Sequence, residues 1–114
     1  MTKIIIGKAG SGKTTELIKL SAETGAYIVA KNRQAISFIK EKAKKLDYAI
    51  PFPLTYQEFI ESRFYGIGCR AFLIDDSLDL LRILCKGINL EAITINESSN
   101  ENQFIFLEGD SNEN

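Results

Sequence analysis

The sequence predicts an α/β protein, a three-layer α/β/α sandwich around a mostly parallel five-stranded sheet. Three observations lead there. Short apolar runs alternate with stretches of helical period as far as residue 96. The first run, KIII at residues 3–6, is continuous rather than alternating, the pattern of a strand covered on both faces. Strands that alternate with helices through right-handed crossovers place helices on both sides of a parallel sheet.

The elements follow in order. After the strand at 3–6, residues 14–23 carry Leu17, Ile18 and Leu20 at helical spacing and are closed by Gly25. AYIVA at 26–30 is a second strand. Residues 33–46 place Ile36, Ile39, Ala43 and Leu46 on one helix face. IPFPL at 50–54 is short and extended, because Pro51 and Pro53 each remove a backbone donor. Thr55 and Glu58 form a capping box, and a helix to near Phe64 is expected after it. RAFLI at 70–74 is the next buried strand, followed by a helix over 77–86 with Leu78, Leu81, Leu84 and Cys85 inward and Gly87 at its end. LEAITIN at 90–96 is the last strand of the five. Residues 1–96 thus read as one core. The segment 97–114 reads as polar and acidic, with an extra edge strand over 103–107 and a frayed end.

At 114 residues the chain suits one domain with a real core, and its 45% hydrophobic and 25% charged content is that of an ordinary globular protein. No apolar run is long enough for a membrane span, and residues 4–6 are too short for a signal-peptide core. A cytoplasmic protein without membrane association is therefore expected. Cys69 and Cys85 form no metal-ligand spacing and the chain has no histidine, so a zinc site is not expected. Charge is uneven: residues 1–45 hold ten basic and three acidic groups, the remainder four and twelve. A basic front suits a nucleotide or nucleic acid. The lysines at 40–45 also fit the wet side of an amphipathic helix.

The most informative stretch is Gly7-Lys8-Ala9-Gly10-Ser11-Gly12-Lys13-Thr14, which fits G-x-x-x-x-G-K-[ST] at every fixed position. Backbone amides that curl around phosphate oxygens need small or absent side chains, and some positions need positive φ. The following helix offers its N-terminal amides to the same anion. Lys13 would then reach the β- and γ-phosphates as a point charge, and the Thr14 hydroxyl would ligate Mg²⁺. Thr15, next on the helix, joins the nucleotide-binding set. A second half of the site belongs at another strand end, and FLIDD supplies it. Asp75 is the candidate Mg²⁺ carboxylate. Asp76 is either a general base for the attacking water or a helix cap.

With these residues, the first 96 positions resemble a P-loop NTPase core, GKAGSGKTT as Walker A and FLIDD as Walker B. The order of pieces is most similar to the first motor domain of superfamily-one DNA helicases, through YIVAKNRQA and TYQEFIESRF. The resemblance implies a nucleoside triphosphate, Mg²⁺ and hydrolysis, and places Lys31–Arg33 and Tyr56–Phe59 near single-stranded DNA. Asp75-Asp76 stands where those helicases have Asp-Glu, and no counterpart of their second motor domain is present. In scale the chain is similar to small P-loop proteins of bacteriophages, which would put it in the host cytoplasm. GKTTEL also resembles thymidine kinases, but the zinc-binding cysteines of that family have no counterpart, so nucleoside kinase activity is not expected. The guanine-reading Asn-Lys-x-Asp pattern is absent, which favours ATP.

Three readings compete. The first is a slow Mg²⁺-dependent ATPase stimulated by a partner, with Lys13 and Asp76 catalytic. The second is a non-hydrolysing, nucleotide-gated adaptor or inhibitor that binds a replication protein or another copy of itself. The third is a nucleic-acid binder using the basic front half, which the acidic back half disfavours.

Overall fold

A computed structural model describes residues 2–97 and 101–108. Residues 98–100 and 109–114 of the expected polar tail lie outside them. The chain is α/β, with five strands and four helices among the described residues: β1 (Thr2–Gly7), α1 (Lys13–Thr24), β2 (Tyr27–Ala30), α2 (Arg33–Lys45), β3 (Leu54–Thr55), α3 (Tyr56–Ile60), β4 (Phe72–Ile74), α4 (Ser77–Leu84) and β5 (Asn102–Leu107). They fall into two compact units, Met1–Lys13 with Glu91–Asn114, and Thr14–Leu90.

In the first unit β1 and β5 pair in parallel, in register from Thr2 with Asn102 to Gly7 with Leu107. The strand expected at 103–107 therefore exists, and its parallel partner is β1. The strand expected over 90–96 does not form, for residues 91–97 carry no ladder among the described residues. Thr and Ile give that stretch strand propensity, but propensity without a paired neighbour makes no sheet.

The second unit holds a three-stranded parallel sheet in the order β3-β2-β4. Its central strand β2 is the most buried, with Ile28, Val29 and Ala30 at 0–1% exposure. The ladder runs past β4, because the Asp75 amide donates to the Val29 carbonyl at 2.9 Å. Val29, Leu54, Tyr56 and Leu80 form a buried cluster, with Phe59, Phe64 and Phe72 around it. The Phe72 ring meets the Phe59 and Phe64 rings edge-on, each at 4.9 Å between centroids, an arrangement their quadrupoles favour.

Three helix ends differ from expectation or explain it. The buried Ser21 hydroxyl donates to the Ala26 carbonyl at 2.7 Å, tying the end of α1 to the start of β2. Helix α3 stops at Ile60 rather than near Phe64, where Ser62 turns left-handed at φ 60°. Helix α4 buries Leu80, whereas Leu78, Leu81 and Leu84 stay exposed. Its entry through a left-handed Asp76 turns Leu80 toward the Val29–Tyr56 cluster. No helix among the described residues is long and apolar enough to cross a membrane.

Candidate functional site

The glycine loop belongs to the first unit. Strand β1 ends at Gly7, and a Cβ placed there would collide with Ser11 Oγ and crowd Leu107, so the close turn requires glycine. Gly10 and Gly12 sit at φ 79° and 94°, a region that costs an L-residue about 1–2 kcal/mol. The turn is closed by the Ser11 amide donating to the Lys8 carbonyl at 3.0 Å. Lys13 folds back over it, its ammonium donating to the carbonyls of Gly7 and Lys8, both at 2.7 Å. Ala9 and Gly10 are exposed. Ser11 is 8% exposed, and its Oγ has no hydrogen-bond partner among the described residues. A buried hydroxyl without a partner is costly in a finished fold and is suited to a ligand that completes it.

The acidic strand end belongs to the second unit. Thr14, at the start of α1, directs its hydroxyl at Asp75 Oδ2, 3.4 Å away. Thr15 is half-buried beside it in sequence. This brings together, across 61 residues, the two side chains expected to hold Mg²⁺. A hydroxyl and one carboxylate suit that ion, which keeps several waters and takes its remaining ligands from phosphates. Among the described residues no group of three or more His, Cys, Asp or Glu side chains gathers as a metal cage.

Asp76 occupies the N-cap position of α4, but its side chain makes no capping hydrogen bond there. The capping alternative is thus not realised, and the carboxylate is exposed. Its backbone is left-handed, φ 53° and ψ 56°. The Asp76 carbonyl instead accepts from the Asp79 amide at 2.9 Å.

Tyr56, in the stretch that the resemblance places near single-stranded DNA, is 2% exposed and belongs to the core. Phe59 likewise packs on Phe72. The Tyr56 hydroxyl shares its one proton between the carbonyls of Asp75 and, at 2.9 Å, Asp76. Burial, and then the charges of Asp76, Asp79 and Asp75, push its phenol well above the ordinary tyrosine range, so it remains a donor. The Thr55–Glu58 capping box that seats it is formed as expected: the Glu58 amide donates to Thr55 Oγ1 at 3.1 Å, and the Thr55 amide to Glu58 Oε1 at 2.9 Å.

In the Lys31–Arg33 stretch, Lys31 pairs with Asp79 at 3.9 Å and the Asn32 side chain caps α2 by accepting from the Ala35 amide. Comparison with known proteins finds no matching family model, no similar curated protein and no similar solved structure.

Proposed function

We propose that the protein binds a nucleoside triphosphate, ATP in preference to GTP, together with Mg²⁺, and hydrolyses it slowly within a P-loop sandwich built on one sheet. The reading rests chiefly on the Thr14 hydroxyl standing 3.4 Å from the Asp75 carboxylate, one residue after a lysine that caps a glycine loop. The parallel pairing of every strand supports the sandwich. In this reading the loop amides of residues 7–13 other than that of Ser11, with Ser11 Oγ, hold phosphate oxygens. Lys13 exchanges its two carbonyl partners for phosphate, a stronger charge-assisted bond. Thr14 and Asp75 hold the metal, whose chemistry is to neutralise charge on the phosphates. Asp76, exposed and uncommitted as a cap, is the candidate base.

The test is phosphate release and equilibrium binding with Mg²⁺-ATP, for the natural protein and Lys13→Ala. Loss of affinity or turnover by about 10²–10³-fold in the variant is expected, the effect of removing one donor to a developing charge. Equal binding by both proteins, or binding by neither, overturns the reading. Binding without turnover makes the protein a nucleotide-gated adaptor. Stimulation by single-stranded DNA ties it to DNA metabolism.

A further inference from the structure

We propose that Tyr56 is a positioning residue for the acidic strand end, its hydroxyl fixing the two consecutive carbonyls of the residues that carry the metal ligand and the base. The inference rests on the nucleotide reading above and adds a determinant of Mg²⁺ affinity that touches no ligand.

The geometry is specific. In an extended strand, alternation sends successive residues to opposite sides, so one donor does not meet two consecutive carbonyls. Here it does, because Asp76 is left-handed. A non-glycine residue in that region persists only where its surroundings over-determine it. The surroundings are on the page. The Asp76 carbonyl is held from one side by the Asp79 amide and from the other by the Tyr56 hydroxyl. Tyr56 is itself fixed, its ring in the cluster with Val29, Leu54 and Leu80 and its backbone at the start of a helix capped by Thr55 and Glu58. Restraint therefore runs from β3 and α3, through one hydroxyl, to the backbone from which the Asp75 and Asp76 carboxylates extend. The Thr14–Asp75 contact lies at the end of that path. Loss of a group that orients a metal ligand typically costs about 10–100-fold in metal affinity.

Tyr56→Phe removes the hydroxyl and keeps the ring. The experiment titrates Mg²⁺ against the natural protein, Tyr56→Phe and Ile39→Ala, each with a fluorescent ATP analogue. It reads the bound fraction and the Mg²⁺-dependent rise in unfolding temperature. Tyr56→Phe is expected to need about tenfold more Mg²⁺ at the midpoint, with metal-free affinity for the analogue unchanged. Ile39→Ala opens a buried site on α2 outside the Tyr56 cluster and is expected to keep the natural midpoint. A Tyr56→Phe midpoint equal to the natural one overturns the proposal, as does an equal shift in Ile39→Ala. Both results leave the nucleotide reading standing. Failure of the natural protein to bind the analogue overturns both at once. If Tyr56→Phe does not fold, Thr55→Ala loosens the same seat and is expected to shift the midpoint in the same direction, and an unshifted midpoint there overturns the proposal.

Discussion

The glycine loop and the acidic strand end are built by different means. The loop closes largely on itself: the Lys13 ammonium bonds the carbonyls of Gly7 and Lys8, the Ser11 amide bonds that of Lys8, and two positive-φ glycines let the backbone make the turn. The strand end is assembled from afar. Its bonds join Tyr56 to Asp75 and Asp76 across 19 and 20 residues, and Thr14 to Asp75 across 61. A self-closing motif carries its geometry wherever its residues go, whereas an assembled one is only as sound as the core behind it.

That difference predicts which substitutions hurt which region. The largest expected effect on stability is at the core of the assembled side. Leu80 is 5% exposed within the Tyr56 cluster, so Leu80→Ala should lower the free energy of unfolding by about 2–5 kcal/mol in urea denaturation. A smaller effect belongs to the loop. Gly12 stands at φ 94° with open space where a Cβ would go, so Gly12→Ala brings backbone strain without a clash, about 1–2 kcal/mol. Its urea midpoint should fall less than that of Leu80→Ala, while its affinity for ATP falls more. Reversal of that order would mean that the loop is not self-contained.

The same distinction explains what could be read from the sequence. The motif from Gly7 to Thr14 was legible because its chemistry is local: glycines where φ is positive, a lysine within reach of its own loop, a hydroxyl at the helix start. The pairing of Thr14 with Asp75 followed from the rule that ligands gather at strand ends. The strands at 26–30 and 70–74 and the cap at Thr55 were legible for the same local reasons. Long-range choices were not. Periodicity does not say that residues 102–107 rather than 90–96 will find a partner strand, and Ile93 and Ile95 remain exposed. Nor does it say that Asp76 will turn left-handed and bring Leu80, rather than Leu81 or Leu84, into the core. The bond from Tyr56 to the carbonyls of Asp75 and Asp76 was not legible either, because backbone carbonyls leave no mark in the identities of their residues.

The smallest expected effect tests the link between cap and strand end most directly. Thr55→Ala removes one arm of the capping box, the acceptor for the Glu58 amide, and leaves the buried ring of Tyr56 in place. Loss of a threonine cap costs about 1 kcal/mol, so urea unfolding should register a modest decrease. If the cap served only α3, a five-residue helix, the Mg²⁺ midpoint for the ATP analogue would not move. Tyr56 is the first residue of that helix, however, and its hydroxyl ends on Asp75 and Asp76. A cap that frays lets the first turn drift, and the drift is carried to both carbonyls. Thr55→Ala should therefore raise the midpoint by a smaller factor than Tyr56→Phe, and the double variant should add little to Tyr56→Phe alone, since neighbours acting through one bond are not additive. Full additivity would separate the cap from the strand end and reduce α3 to a piece of the core.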